Sequence, residues 1–410
     1  MREAGRRDVA VTGLGLVTAA GVGVEETWAK ALSGEPTASP DPELSGLMVD
    51  FSCRVPGYDP VAEFGRRRAW RLDRYVQLAL TAAREALDDS GLSSAQWDAT
   101  TVGVVLGNAL GGTSTFERQV RALYEQGPQA VSPMLVPMTA VNMASGYLAM
   151  EFGALGPNLV TSTACASGAT AIGVARDLLL SGVCDVVITG GTEASLSPTV
   201  MSGFARMGAL SRRRENCAAA SRPFDTDRDG FVAAEGAGVL VLERLADARA
   251  RGARVRARLS GYGASADAHH PTAPDPEGRG AERAIRAALR SAEVSPDEVD
   301  HVNAHGTSTP LNDLTEARVL QRVVGPRAAV TSTKGVTGHS LGAAGAVEAA
   351  LTVLAVEHGV VPPTANLDSL DPAIEVEIVA KTPRELPIGV AMSNSFGFGG
   401  QNAVLVFTAA

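Results

Sequence analysis

Cys165 is the cysteine best placed for nucleophilic chemistry, because it lies at a sharp turn between a strand and a helix. The segment VTSTACASGATAIGVARDLLLSG contains an apolar strand, a run of small residues and an apolar helix. A thiol at a helix N-terminus meets unpaired backbone N–H groups, which favour the thiolate and can hold an oxyanion. The alternative is a buried structural cysteine, the usual state of a free thiol. We adopt that alternative for Cys53, Cys184 and Cys217.

Two of the six histidines lie in Gly-flanked polar loops and are candidates for the same site. His305 follows a strand in HVNAHGTSTPLND, and His339 precedes a second apolar helix in TKGVTGHSLGAAGAVEAAL. Internal repetition places His339 nearly where Cys165 lies in the first half, so two helix N-termini would meet. Two imidazole N–H donors directed at one thioester oxygen would stabilise an enolate there. For each histidine alone, a hydrogen-bonded loop residue is the alternative.

Two charged residues near His339 are further candidates. Lys334 lies five residues before it and could orient the imidazole, hold a negative charge, or simply be solvated. Glu348 falls within the apolar second helix, where a buried carboxylate needs a partner, and Lys334 is one possibility. We treat His301 as non-catalytic. No His, Cys, Asp or Glu pair shows metal-ligand spacing, so the sequence predicts no catalytic metal.

The C-terminal segment SNSFGFGGQNAVLVF is a Gly-rich turn between two strands. Its glycines permit positive φ and a close approach of the backbone to a ligand. Its spacing matches neither common phosphate-binding motif, and no helix follows, so we do not predict a nucleotide site. A backbone N–H of this turn could be a second oxyanion donor.

These candidates are positioned by two similar halves, which we place at 1–252 and 253–410. Residues 77–109 and 282–306 each contain an Ala-rich amphipathic helix, a break and a β-branched strand. Other repeated segments keep the same order in both halves. The helices near Ser167 and Ser340 are apolar almost all round, which is typical of helices buried on every side. The pattern predicts an α/β protein with a central helical layer between two mixed, largely parallel sheets.

Composition limits the function further. The 410 residues carry a net charge of -9, which argues against a nucleic-acid partner. The four cysteines form no CxxC pair, which fits a reducing, cytoplasmic setting. The sequence contains no run of 18 apolar residues free of charged or turn residues, so we predict no membrane span.

In combination, several motifs resemble the β-ketoacyl-acyl-carrier-protein synthases of the elongating type, found in bacterial fatty-acid and type II polyketide synthesis. They are VAVTGLGLVT, VPMTAVNMASG, TACASG, ASRPFDTDRDGFVAAEGAG, VNAHGTSTPLND, TKGVTGHSLGAAGAVE and SNSFGFGG. The resemblance covers nearly the whole chain. It implies the five-layered αβαβα thiolase fold, with two similar halves from internal duplication, and usually a dimer. It also implies substrates carried on the phosphopantetheine of acyl carrier protein, with no other cofactor.

The resemblance assigns roles to individual residues. Cys165 would be the nucleophile that accepts the acyl chain, while His305 and His339 would support decarboxylation and hold the enolate. The other implied positions are supporting charges at Lys334 and Glu348, pantetheine contacts at Thr307 and Thr309, an oxyanion donor and gate at Phe398, an acyl pocket at Leu110, Met134, Leu135 and Phe204, and carrier-protein contacts at Arg67, Arg71 and Arg206.

Two departures from the family pattern leave the substrate open. Gln401 stands where many members carry Thr, and the loop 34–52 is shorter and different. A ketosynthase subunit that pairs with a chain-length factor, in a specialised polyketide or polyene pathway, is therefore an alternative to a fatty-acid enzyme. The chain length, homo- or heterodimeric state and pathway stay open. A non-catalytic chain-length factor would lack the cysteine, and a biosynthetic thiolase would need a second cysteine after Cys217.

Overall fold

The computed structural model describes residues 8–93, 95 and 97–410. Its strands are β1 (Val9–Thr18), β2 (Gly21–Val22), β3 (Ser39–Pro40), β4 (Phe51–Ser52), β5 (Val102–Gly107), β6 (Asn158–Thr161), β7 (Val186–Glu193), β8 (Gly236–Arg244), β9 (Ala257–Ala266), β10 (His301–Asn303), β11 (Ala329–Thr331), β12 (Val360–Val361), β13 (Arg384–Glu385), β14 (Val390–Gly397) and β15 (Gln401–Thr408).

Its helices are α1 (Val24–Ser33), α2 (Pro60–Phe64), α3 (Arg66–Ala69), α4 (Arg74–Ser90), α5 (Thr113–Gln126), α6 (Leu135–Thr139), α7 (Met143–Phe152), α8 (Ser167–Leu180), α9 (Pro198–Met207), α10 (Leu245–Ala250), α11 (Arg279–Ala292), α12 (Pro310–Val323), α13 (Lys334–Thr337) and α14 (Ala344–His358).

The two halves repeat one strand order. The first half runs β6-β5-β7-β8-β1, and the second runs β11-β10-β14-β15-β9. The similarity of the halves predicted from the sequence is therefore confirmed. One detail differs from the prediction of two separate sheets: β1 and β9 pair antiparallel over three residues, from Val9 with Leu259 to Val11 with Ala257. This short contact joins the two five-stranded arrays into one hydrogen-bonded sheet.

The layers follow from which faces are apolar. Helix α4 packs on β1 and β8, while α11 packs on β9 and β15, so each covers the outer face of one half. Helices α8 and α14 contact strands of both halves and form the central layer. Helix α14 is buried from Ala344 through Val356, as its uniform hydrophobicity predicts. The result is the predicted αβαβα arrangement.

Glycines allow the two central helices to cross closely. A Cβ built on Gly168 of α8 would lie 2.7 Å from the backbone N of Ala346, and one on Gly345 would lie 2.8 Å from the N of Ala169. The contact is therefore reciprocal between α8 and α14. Since the helices nearly touch at their N-terminal ends, the segments that precede them are brought together.

Helical residues Leu341–His358 are long and apolar enough to cross a membrane, judged by length and composition alone. However, 89% of this segment is buried inside the protein. Its hydrophobicity is accounted for by the central layer, because it contacts both halves of the sheet there.

Candidate active site

Cys165 lies in a single 3-10 turn, Ala164–Ala166, directly before α8. Ala164 takes a left-handed φ of 50°, so the chain reverses sharply. The hydroxyl of Ser167 stabilises the turn by donating to the Ala164 carbonyl at 2.6 Å and accepting from the Thr163 N–H at 2.9 Å. Gly397 packs against this turn so closely that a Cβ on Gly397 would lie 2.5 Å from the backbone carbonyl oxygen of Thr163. The turn therefore has little freedom to move.

Two histidines converge on this thiol. Sγ of Cys165 and one ring nitrogen each from His305 and His339 all lie within 4.8 Å of one another. The two imidazole centroids are 5.4 Å apart and the rings are nearly perpendicular, at 84°. His305 is anchored through its backbone N–H, which donates to Glu316 at 2.8 Å. His339 is anchored by a backbone hydrogen bond to Val232 at 2.8 Å.

Burial and a nearby cation keep both imidazoles neutral. Desolvation, reinforced by the positive charge of Lys334, holds the pKa values of His305 and His339 well below their usual range. Their Nδ1 atoms are buried without a hydrogen-bond partner among the described residues. Each neutral ring can therefore donate one N–H and accept one proton at the other nitrogen.

The thiol behaves differently from the sequence-based expectation. Burial raises the pKa of Cys165 to about 11, although Lys334 and the backbone N–H groups of Phe398 and Cys165 itself act to lower it. Burial therefore outweighs the backbone N–H groups and Lys334, which favour the thiolate, so Cys165 rests as a thiol. The proton must leave as the sulfur attacks, and the neutral histidines are the acceptors within reach.

Lys334 and Glu348 form a buried ion pair behind the histidines. Their side chains are 1% and 2% exposed, so the solvated alternative for Lys334 was wrong. Burial raises the pKa of Glu348 to about 7, while the ammonium of Lys334 opposes that shift. Within this pair the ammonium of Lys334 lowers the pKa of the Cys165 thiol and of both imidazoles, while the carboxylate of Glu348 raises the pKa of the thiol.

The thiol of Cys165 and the two imidazoles face a mostly apolar cavity of about 540 Å³. Its walls include the predicted positions Cys165, His305, His339, Thr307, Thr309, Phe398, Leu110 and Phe204. The hydroxyls of Thr307 and Thr309 are 2.9 Å apart. Met134 and Leu135 do not line this cavity in a single chain, so their assignment to the acyl pocket stays a prediction. Both residues lie half-buried at the start of α6. This helix packs on α5 and α7 at the edge of the first half, and this packing keeps the two side chains away from the cavity.

Phe398 lies at the Gly-rich turn between β14 and β15. Its ring is 6.4 Å from that of Phe204 across the cavity, and its backbone N–H acts on the Cys165 sulfur. Gly399 and Gly400 have φ values of 80° and 70°, conformations that favour glycine. The turn can therefore bring both an aromatic ring and a backbone donor to the thiol. Gln401 begins β15 and is half-buried.

The three arginines implied as carrier contacts are at the surface. Arg67 lies on α3, Arg71 follows that helix, and Arg206 lies on α9, and all three are exposed. None forms an ion pair with a residue that the structure describes. Arg206 neighbours the cavity, since Phe204 and Met207 of the same helix line it.

Sequence reasoning missed three residues of the site. Glu316 on α12 is buried and accepts the backbone N–H groups of both His305 and Gly306, each at 2.8 Å. The ring centroid of Phe231 lies 5.2 Å from that of His339, and the ring centroid of Phe396 lies 5.8 Å from that of His305. A carboxylate two turns into the helix that follows HGTSTP was the available signal for Glu316. The two phenylalanines lie in motifs that the sequence analysis had quoted, Phe231 in DGFVAAEGAG and Phe396 in SNSFGFGG, but nothing in either motif indicated contact with a histidine.

The sulfur and imidazole nitrogens also form a set that could hold a metal ion by distance. Their spacing along the chain did not reveal this, because the three residues come from three remote segments. A thiolate with two imidazoles suits zinc. The predicted absence of a metal therefore stays a prediction.

The fold and site together define a condensing acyltransferase with the thiolase fold. A family model described as the β-ketoacyl synthase N-terminal domain matches residues 6–248, and the C-terminal domain model matches 256–368. The chain is 43% identical over 407 residues to 3-oxoacyl-[acyl-carrier-protein] synthase 2 of Synechocystis sp., covering 98% of each chain. It belongs to the β-ketoacyl synthase family.

Solved structures agree with this assignment. The ishigamide ketosynthase/chain length factor matches with a TM-score of 0.92 at 35% identity, over 99% of this chain and 100% of that one. A type II polyketide acyl-carrier protein in complex with its ketosynthase, bound to the hexaketide, matches with a TM-score of 0.91 at 32% identity, over 98% of this chain and 100% of that one.

Proposed function

We propose that this chain is a 3-oxoacyl-acyl-carrier-protein synthase that elongates an acyl chain by decarboxylative condensation with malonyl carrier protein. The observation that carries the proposal is the convergence of Cys165, His305 and His339 in one apolar cavity. A non-catalytic subunit would have no use for this set. A site that excludes water also protects an enolate from being quenched.

In the first half-reaction, Sγ of Cys165 attacks the acyl thioester carbonyl. The thiol proton passes to a neutral histidine as the sulfur–carbon bond forms, because the raised pKa of Cys165 keeps it a thiol at rest. The backbone N–H groups of Cys165 and Phe398 hold the oxyanion. The intermediate collapses, the carrier thiol leaves with the proton, and the acyl group stays on the sulfur.

In the second half-reaction, malonyl carrier protein occupies the same cavity. Its carboxylate leaves as carbon dioxide, and the electron pair forms an enolate whose oxygen accepts hydrogen bonds from His305 and His339. The enolate carbon attacks the acyl carbonyl, and the sulfur of Cys165 leaves as a thiolate, which takes up one proton from solvent. Lys334 supports this step by keeping both rings neutral donors.

Thr307 and Thr309 would bind the pantetheine arm from the cavity wall, and no metal or further cofactor enters the reaction. All four cysteines are free, which supports a reducing, cytoplasmic setting.

A partner subunit is part of the proposal. Strand β6 ends the sheet order of the first half and carries Leu159, which is 42% exposed. The neighbouring helices α5, α6 and α7 expose Tyr124, Val136 and Met150. Exposed apolar faces and open sheet edges are typical of interfaces. This edge would pair with a second copy or with a homologous chain-length-factor subunit.

The alternative is the catalytic subunit of a ketosynthase/chain-length-factor pair that makes a polyketide or polyene. Two similar structures favour it, because both are such pairs by name: the ishigamide ketosynthase/chain length factor and a ketosynthase in complex with its chain length factor from Xenorhabdus doucetiae. The partner identity separates the two candidates, since the fatty-acid enzyme would be active as a homodimer.

Intact-protein mass spectrometry tests the proposal. We expect carrier-bound acyl chains to add their mass at Cys165, and malonyl carrier protein to remove it as 3-oxoacyl product forms. Cys165→Ala should fold but take up no acyl group. Condensation by that variant, or a wild-type protein that no acyl carrier labels with or without a partner subunit, would overturn the assignment.

A further inference from the structure

The turn at residues 108–112, which follows β5, carries a residue that borders two cavities. Leu110 lines the active-site cavity of about 540 Å³ and also a second cavity of about 470 Å³, whose other walls come mainly from α5 and α9. Leu110 is 40% exposed, which fits an apolar residue with open space on two sides. We therefore expect its position to decide how far an acyl chain can extend from the thiol.

The carboxylate of Glu193 holds the backbone of this turn. Strands β5 and β7 are parallel neighbours, so the turn lies beside Glu193, the last residue of β7. Oε2 of Glu193 accepts the backbone N–H groups of Ala109 at 2.8 Å and of Leu110 at 3.3 Å. Oδ1 of Asn108 accepts the next N–H, that of Gly111, at 2.7 Å. Side-chain oxygens thus bind three successive N–H groups and fix the backbone that carries the Leu110 side chain.

Close packing confines the same turn at two further points. A Cβ on Gly342, in the 3-10 turn before α14, would lie 2.8 Å from Oε2 of Glu193. A Cβ on Gly111 would lie 2.4 Å from the backbone carbonyl oxygen of Thr139, at the end of α6. If the carboxylate were removed, movement toward either backbone would be blocked. We expect Leu110 to move into the second cavity instead, where space is available.

Glu193 is fully buried, and the groups that it binds are neutral. Besides the backbone N–H groups, it accepts the hydroxyl of Ser195 at 2.6 Å. Burial raises the pKa of Glu193 to about 7, and no cation among the described residues opposes that shift. A buried carboxylate without a cation is unfavourable, and natural proteins keep such local conflicts mainly at functional sites. Its hydrogen bonds to the turn are the function that the geometry offers.

We propose that Glu193 is a positioning residue, which holds Leu110 in the wall of the active-site cavity and thereby limits the length of acyl chain that Cys165 accepts. The inference rests on the proposed function, which supplies the acyl substrate. It adds a residue that does not itself line the cavity. Binding sites depend on supporting hydrogen bonds of this kind to hold their wall residues within about 0.5 Å of the working geometry.

The test compares kcat/KM for tetradecanoyl carrier protein with that for hexanoyl carrier protein, with malonyl carrier protein as the second substrate. We expect Glu193→Ala to raise this long-to-short ratio by about tenfold, the lower end of what one methylene is worth in an apolar pocket. Glu193→Gln keeps an oxygen for both N–H groups and can donate to Ser195, so it should keep the wild-type ratio. Glu193→Asp, one methylene shorter, should give an intermediate ratio and replaces the alanine variant if that variant does not fold.

Glu85→Ala is the matched control. Glu85 also accepts two backbone N–H groups, from Val24 at 2.7 Å and from Leu16 at 2.9 Å, but it lies on α4 and lines neither cavity. This variant should lose stability in denaturant unfolding and leave the long-to-short ratio unchanged. Leu110→Ala removes the wall itself and should raise the ratio at least as much as Glu193→Ala. The double variant should show no further rise, because Glu193 acts through Leu110.

The outcomes separate the inference from the proposed function. A ratio for Glu193→Ala that stays at the wild-type value or falls below it would overturn the inference. So would an equal rise in Glu85→Ala, which would show a general loosening of the fold, or additive effects in the double variant. If the wild-type protein elongates neither substrate, with or without a partner subunit, the proposed function itself fails.

Discussion

Substituting alanine for Gly168 tests whether the crossing of α8 and α14 sets the distance between the thiol and the histidines. Gly168 lies three residues after Cys165, and a Cβ added to it would meet the N of Ala346 at 2.7 Å and the carbonyl oxygen of Gly342 at 3.2 Å. Gly342 itself lies three residues after His339. Both contacts are backbone atoms, so no side-chain rotation can relieve them.

The size of the effect follows from that geometry. Ordinary van der Waals contact begins at 3.4 Å, so the helices must separate by roughly 0.7 Å near Ala346. Overpacking of this kind destabilises by about 1–3 kcal/mol, and the better helix propensity of alanine offsets up to about 1 kcal/mol of it. A shift of 1 Å at a reacting pair costs about 10²-fold in rate. We therefore expect on the order of a tenfold loss in kcat/KM.

The assay compares Gly168→Ala with Gly203→Ala. Gly203 lies in α9, and a Cβ there meets nothing within 4 Å, so this control should be equally or more stable and fully active. Denaturant unfolding measures the stability of each variant, and time-resolved intact mass measures acylation of Cys165. Malonyl decarboxylation is followed separately. If Gly168→Ala matches the control in stability and in both rates, the close crossing does not set the site geometry.

Three further predictions concern charge and protonation. His339→Ala should still be acylated but should lose malonyl decarboxylation by about 10²-fold or more; an undiminished decarboxylation rate would show another role. Glu348→Gln leaves the charge of Lys334 buried and unpaired and should lower the free energy of unfolding by about 3–5 kcal/mol, while a Lys334→Met/Glu348→Leu double variant should recover most of that loss in denaturant unfolding. His301 is buried with its pKa lowered to about 4, so the unfolded chain binds more protons between that value and about 6.5, and stability should fall as pH drops through this window by up to about 3 kcal/mol. His301→Asn can keep a donor to the carbonyl of Ala329 and should lose only the contribution of His301 to this slope, because the buried neutral His305 and His339 contribute with the same sign; an unchanged slope would contradict the burial argument.

The sequence was sufficient for the fold and for most of the site. Repeated segments in the same order predicted two similar halves, because each half must bury a helix that is apolar on every side. The helix starts beside Cys165 and His339 predicted that these residues meet, since equivalent ends of duplicated units face each other. Lys334 and Glu348 could be linked as a pair because an isolated buried carboxylate is unfavourable.

The ionisation of the site depended on tertiary structure. A helix N-terminus alone favours the thiolate, but the depth at which Cys165 is buried belongs to the assembled layers, and it raises the pKa of the thiol. The same burial keeps both histidines neutral. Glu316 was missed for a related reason: its contact with the backbone of His305 depends on how α12 packs, which local sequence does not specify.

Local sequence determined which residues lie at strand ends and helix starts, because turn residues and hydrophobic periodicity act over a few positions. Tertiary structure decided distance and solvent access. It excluded Met134 and Leu135 from the cavity of a single chain and placed Phe231 and Phe396 against the imidazoles. These outcomes depend on packing between segments far apart in the chain, where a displacement of less than 1 Å changes which groups touch.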